Sequence, residues 1–380
     1  MITIRVPCSS ANIGPGFDVI GLALSIHLTL RITYPTPPPS PLPPQNCTIV
    51  YSPPNPTLPL VPTTNLITRT ALYVLRVHSQ HTFPSPIHIA ITNPIPLARG
   101  LGSSGAAVVA GVLLANEVGG LHLSKARMLD YCLMVERHPD NVAAALYGGF
   151  VGTYLNDVDP LALARAEIPL AEEQPEPSGG LDTGLSPPAP PEGIGRFVRF
   201  GWADEVKAVV VIPDFGVATH DAREVLPETY SRKDIVRAKP PLSPPPVSPQ
   251  VLNPQQIHNL SRCSILPHLL TSSPVDPRSI HNAMSDRLHQ PYRAALIPGL
   301  TRVTSTITPA THPGLCGICL SGAGPTILAL AVDGFEAIAE SVMAVLREEV
   351  RRAWGKEVRC EWRVLEVERG GAAVSRDEDE

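Results

Sequence analysis

The sequence predicts a two-layer α+β fold, and three observations point that way. Stretches with strand and helix periodicity interleave without the regular alternation that builds a doubly wound parallel sheet. At 380 residues the chain is longer than one core usually spans, so two domains are expected. Its 43% apolar content is that of a globular chain, interrupted by proline-rich stretches that read as insertions.

Taken in order, residues 2–6 alternate as a strand and Leu22 to Ile32 reads as a second. Between them Cys8 to Asp18 reads as a loop, turned at Gly14-Pro15-Gly16, that leaves Asn12 and Asp18 on irregular backbone. Pro35 to Pro62 holds 12 Pro in 28 residues, which predicts an extended surface insertion outside any sheet or helix interior. Thr64 to Val77 has helical periodicity with Asn65 as its cap, and Ile87 to Ile91 alternates as a strand. After a glycine-rich loop, Ala106 to Ala115 has helical length and composition. Ser124 caps a further helix with Met128, Leu129, Cys132 and Val135 on its apolar face, and Asn141 to Tyr147 forms another, stopped by Gly148-Gly149.

Phe150 to Leu155 reads as a strand, and residues 171–195, rich in Pro, Gly and Glu, as a flexible insertion. Phe197 to Phe200 and Val206 to Ile212 follow as strands, then a short helix from Thr219 stopped by Pro227, and a third insertion at about 239–254. Residues 281–296 read as helical. Leu315 to Leu320 and Thr326 to Val332 are apolar strands around the turn Ser321-Gly322-Ala323-Gly324-Pro325. Asp333 to Arg352 reads as a long amphipathic helix, Val358 to Val367 as a closing strand, and 369–380 as a disordered acidic tail.

Charge and composition narrow the function. A net charge of −5 argues against a nucleic-acid partner, which calls for a basic stripe. No apolar run reaches the ~20 residues needed to cross a bilayer, and Pro7, Asn12 and Asp18 interrupt any signal-like start, so the expectation is a cytoplasmic protein away from membranes. Seven Cys, several within apolar runs, read as free buried thiols, and Cys316-x-x-Cys319 lacks the second pair of a zinc site.

Chemistry concentrates in Ile95 to Ala107, where Gly100, Gly102 and Gly105 flank adjacent serines just before a helix. Such a loop can cradle a phosphate on backbone N–H groups at the positive helix end. It has neither the Gly-Lys-Ser/Thr of a P-loop nor the spacing of a dinucleotide fingerprint. A second cluster, Glu136-Arg137-His138-Pro139-Asp140-Asn141, holds more polar groups than a helix cap requires.

Pro96 to Ala107 resembles the ATP-binding signature of the GHMP kinases, Pro-x-x-x-Gly-Leu-Gly-Ser-Ser. Ser10 to Asp18 and Glu136 to Asn141 resemble two strings of the homoserine kinases within that superfamily, with Arg137 in place of the usual Gly, and Ser321 to Pro325 resembles the last superfamily motif. The resemblance implies an N-terminal, ribosomal-protein-S5-like ATP-binding domain over 1–200, a ferredoxin-like half over 201–368, and an active site in the cleft between them. It implies ATP held by Pro96, Arg99, Gly100, Leu101, Gly102, Ser103, Ser104 and Gly105, and Mg²⁺ held by Ser104 and Glu136. L-homoserine would be held by Asn12, Asp18, His138, Asn141, Arg223 and Arg293, the two Arg on its carboxylate and Asp18 on its ammonium. Asn141 would orient the acceptor hydroxyl while the γ-phosphate or solvent takes its proton, with Asp140 as a competing base. A homodimer is implied too. Two other readings stay open from sequence: a mevalonate-type kinase, and a non-catalytic nucleotide-binding protein.

Overall fold

The computed structural model describes residues 1–159, 161, 168, 169, 171, 186–227 and 254–377. The insertions expected at 171–195 and about 239–254 therefore fall largely outside the described residues. The first sheet contains β1 (Ile2–Ala11), β2 (Ile20–Thr33), β3 (Cys47–Tyr51), β4 (Ile87–Thr92), β5 (Phe150–Leu155) and β6 (Gly195–Phe200). The second is four-stranded, in the order β10 (Cys360–Leu365), β7 (Lys207–Pro213), β9 (Ile327–Ala331), β8 (Leu315–Leu320). A last strand, β11 (Ala373–Arg376), returns to the first sheet and completes seven strands by pairing antiparallel with β1.

Helices α1 (Leu66–Val77), α2 (Ser103–Gly119), α3 (Lys125–Val135) and α4 (Pro139–Tyr147) accompany the first sheet. Asn65 and Ser124 cap α1 and α3 by accepting from the amides of Ile67 and Arg127, as their side-chain oxygens predict. Helix α2 carries apolar residues all round because α1, α3, α4 and β1 surround it. Close contact with α1 requires Gly111, where a Cβ would stand 2.4 Å from the Ile67 carbonyl oxygen.

Strands β7, β8 and β9 of the second sheet are buried on both faces, whereas the edge strand β10 is partly exposed. Ala208, Val210 and Ile212 of β7 join the large core, whereas Val209 and Val211 face a smaller core with Ile338, Val342 and Leu346. Those three lie on α10 (Phe335–Trp354), whose apolar stripe follows helical spacing. The other C-terminal helices are α5 (Thr219–Glu224), α6 (Pro254–Thr271), α7 (Pro277–Ala283), α8 (Gln290–Arg293) and α9 (Leu300–Thr306). Among the described residues, no helix is long and apolar enough to cross a membrane.

Four expectations need correction. Strand β1 runs through Cys8 to Ala11, residues read as loop, after a register shift at Pro7/Cys8. The proline-rich segment contributes β3 to the sheet, because Cys47 to Tyr51 holds no Pro and buries alternate side chains. Residues 281–296 are not one helix: the Asp286 carboxylate accepts from the amides of Leu288, His289 and Gln290, turning the chain before Pro291 opens α8. The tail read as disordered supplies β11, since the acidic residues begin only at Asp377 and Ala373 to Arg376 are free to pair.

Candidate active site

Three chain reversals converge on one cleft. Gly102 precedes α2 in the left-handed region, at φ 64°, with no side chain capping the helix, so the first-turn amides face a potential ligand. Glu136 ends α3, while His138 precedes α4 and Pro139 opens it. The cluster is therefore polar because two helix ends meet there. The turn between β8 and β9 packs against the glycine loop: the Ser321 hydroxyl donates to the Gly100 carbonyl at 2.6 Å. The Gly322 amide in turn donates to Ala11 at 3.1 Å.

A cavity of about 450 Å³ is lined by Pro96, Arg99, Gly100, Leu101, Gly102, Ser103 and Ser104 and by Glu136, His138 and Asn141. The same cavity is lined by Asn12, Asp18, Arg223 and Arg293. Every residue singled out from sequence except Gly105 is thus at one site. Gly105 faces α4 instead, where a Cβ would meet that of Asn141 at 3.2 Å. The glycines also serve packing more than the sequence suggested: a Cβ at Gly100 would lie 2.2 Å from the Ser321 carbonyl oxygen, and one at Gly102 2.1 Å from Ser9 Oγ.

Several side chains are already engaged. Arg99 donates to the backbone carbonyls of Asp214 (2.8 Å) and Leu97 (3.3 Å), so its guanidinium braces the loop against the end of β7. Asn12, expected on substrate, donates to the Gly322 carbonyl at 3.1 Å and accepts from the Asp18 amide at 3.0 Å. Its amide clamps the Gly14-Pro15-Gly16 loop to the second turn. Ser9 donates to Asn141 Oδ1 at 2.9 Å, which leaves the amide nitrogen of Asn141 for the cavity.

The charged residues pair across the cleft. Arg223 Nη2 reaches both carboxylate oxygens of Asp18, at 2.9 and 3.0 Å, and its Nε lies 3.1 Å from His138 Nε2. The other imidazole nitrogen of His138 bonds to Glu136, itself 2% exposed. Arg293 is 3% exposed, donating from Nε to the Ala222 carbonyl and from Nη1 to that of Gly322. Burial, then the charge of Arg223, lowers its pKa to about 10. Both guanidinium groups stand near the Phe17 ring, at 5.5 and 5.2 Å from its centroid. The carboxyl of Asp140 is buried, and among the described residues Oδ2 has no hydrogen-bond partner while Oδ1 accepts from Asn141 N. Burial, reinforced by Asp18, pushes its pKa up to about 7.

Signals for Phe17, Ser321 and Gly322 were present in motifs read for other reasons. The cysteines lie apart from the chemistry, and burial pushes the Cys319 thiol up to about 12. Among the described residues, the one group of three with metal-ligand proximity is the exposed trio His220, Asp221 and Glu224 on α5, of which His220 lines the same cavity.

A glycine loop at an uncapped helix start thus faces an oxygen-rich cluster across one cavity, an arrangement suited to holding phosphates. The GHMP kinases N terminal domain matches residues 65–149. Homoserine kinase of Saccharomyces cerevisiae is 49% identical over 378 residues, covering 98% of each chain, and that of Candida albicans 43% identical over 375, covering 98% of this chain and 97% of that one. The chain belongs to the homoserine kinase family. A crystal structure of homoserine kinase from Cytophaga hutchinsonii shares the fold with a TM-score of 0.65 at 22% identity, covering 98% of this chain and 97% of that one. The L. major mevalonate kinase bound to R-mevalonate shares it at a TM-score of 0.54 and 14% identity, covering 95% and 94%.

Proposed function

We propose that the chain transfers the γ-phosphoryl group of ATP to the hydroxyl of L-homoserine, giving O-phospho-L-homoserine. The observation that carries this reading is the Asp18–Arg223 pair at 2.9 Å, set beside the buried Arg293 and opposite the glycine loop. Each partner of that pair complements one end of a zwitterion. An amino-acid carboxylate can take the place of Asp18 on Arg223 while the substrate ammonium takes the place of Arg223 on Asp18. Mevalonate has a carboxylate but no ammonium, and would leave Asp18 unpaired.

At the other end, the amides of the α2 first turn and Ser103 would hold the nucleotide phosphates, with Tyr51, Leu58 and Pro59 along the same cavity. Ser104 and Glu136 fit Mg²⁺, because both offer hard oxygen ligands on one cavity and His138 orients the carboxylate. The ion would neutralise charge building on the transferring phosphoryl group. Asn141, whose Oδ1 is held by Ser9, lines the cavity and would offer its amide N–H groups to the acceptor hydroxyl. Asp140 supports a second reading of the proton step: its unpartnered oxygen and pKa of about 7 suit it to accept the hydroxyl proton. A cytoplasmic homodimer completes the reading, and sedimentation of the purified chain tests the dimer.

Release of ADP, coupled to NADH oxidation, should require homoserine and be negligible with mevalonate or with no acceptor. Equal turnover with mevalonate would overturn the amino-acid assignment, and acceptor-independent or absent turnover the kinase itself. In the same assay, near-normal turnover of Asn141→Ala removes Asn141 from the mechanism. Loss of turnover in folded Asp140→Asn favours the carboxyl as base.

A further inference from the structure

Opposite the cleft, behind both charged arms, lies a fully buried imidazole that the phosphoryl-transfer reading leaves without a role. His289 is 0% exposed and immediately precedes α8, whose last residue is Arg293. Its Nε2 lies 2.8 Å from the carbonyl oxygen of Gly14, and its Nδ1 lies 3.3 Å from Arg293 Nη1. A carbonyl oxygen only accepts and a guanidinium only donates, so the proton sits on Nε2 and the ring is neutral. Burial favours the same state, lowering the pKa of His289.

Each contact leads to one arm of the site. Gly14 begins the Gly-Pro-Gly-Phe stretch that ends in Asp18, and the Phe17 ring lies 5.3 Å from the imidazole. Arg293 continues to the Ala222 carbonyl in α5, the residue before Arg223. The backbone that carries the ring is fixed by Asp286, whose carboxylate takes the His289 amide at 3.1 Å and the Gln290 amide at 2.7 Å and lies 3.6 Å from the ring at Nε2. Asn259 of α6 then ties Asp286 to the same loop, donating to Asp286 Oδ1 at 2.6 Å and to the Pro15 carbonyl at 3.2 Å.

We infer that His289 is a positioning residue for the acceptor: it joins the Asp18 loop to Arg293 so that both ends of a zwitterion are gripped by one rigid unit. The inference rests on the amino-acid reading above for its kinetic consequence, but the tie itself is a property of this chain alone. Without the imidazole, the loop and Arg293 each retain other contacts and still fold, but their spacing is no longer fixed. Acceptor affinity then falls while the nucleotide end is untouched.

Three substitutions separate the two bonds. His289→Phe keeps the ring volume and removes both, His289→Gln can still reach Gly14, and His289→Asn can still accept from Arg293. In His289→Phe the KM for homoserine should rise about tenfold or more, the size expected for two lost hydrogen bonds at a buried site, with kcat and the KM for ATP within about threefold. Gln and Asn should each restore part of the loss. Amide hydrogen exchange should quicken over residues 13–20 and 219–224 together and stay unchanged over 101–106. If Phe blocks folding, Gln and Asn carry the test, with smaller shifts in the same direction. An unchanged homoserine KM, a parallel rise in the KM for ATP, or faster exchange in one segment alone would overturn the inference. Absence of homoserine turnover in the native chain would instead remove the amino-acid reading, and the exchange measurement would still decide the tie.

Discussion

At the end of the cleft proposed to take the nucleotide, the exposed groups are backbone amides at an uncapped helix start, and the side chains around them hold the loop in shape. At the acceptor end, the groups facing the ligand are full charges, and they are paired with each other, Asp18 on Arg223. Amides can wait in water at little cost, whereas half-buried charges and a buried Arg293 need partners at all times. On the proposed reading the nucleotide end is preformed, while the acceptor end would exchange an internal ion pair for an equivalent zwitterion. Specificity follows, since an acceptor lacking either charge breaks the internal pair without replacing it.

The contrast is sharpened most by Glu136→Gln, which keeps the shape and removes the charge proposed to hold Mg²⁺. Its kcat should fall by about 10³-fold, the scale of lost metal stabilisation, with homoserine binding by calorimetry little changed. A smaller effect, confined to the other end, is expected for Arg223→Met: KM for homoserine should rise roughly 10- to 100-fold, the value of one or two charge-assisted hydrogen bonds, while KM for ATP holds. Equal shifts in both constants would erase the division between the two ends.

Gly100→Ala should act on stability. The position has φ 73° and no room before the Ser321 carbonyl, so urea unfolding should show a loss of about 2 kcal/mol or more. The last effect, at Asp140, depends on pH. Its carboxyl titrates near 3.8 when unfolded and at about 7 when folded, so the native chain keeps a proton that the unfolded chain releases between those values. The contribution is complete below pH 3.8 and is lost as pH rises to about 7. Asp140→Asn should accordingly raise Tm at pH 8, where the native carboxyl would otherwise be charged and buried, and change it by almost nothing near pH 4.

The two ends also differ in how far the chain itself discloses them. Gly100 to Gly105 and Glu136 to Asn141 are contiguous strings whose unusual residues answer to local backbone needs, so the glycine loop and the polar cluster facing it are readable at short range. The acceptor end is assembled from partners far apart: Asp18 and Arg223 are separated by 205 positions, Gly14 and His289 by 275. Spacing carries no trace of such pairs, and the engaged states of Asn12 and Arg99 likewise depend on carbonyls supplied by distant turns. Strand β3 was hidden because the prolines on either side dominate the composition, although the five residues between them alternate cleanly.

Strand β11 has a consequence for handling the protein. Arg376 to Ala373 lie along Ile2 to Arg5, and the amide of Asp377 reaches the carbonyl of Met1 at 3.0 Å. Trimming the last few residues would uncover a row of main-chain donors and acceptors flanked by Ile2 and Ile4, an adhesive margin on which a second molecule could add its own strand. Shortened versions should precipitate before they lose their ability to bind nucleotide.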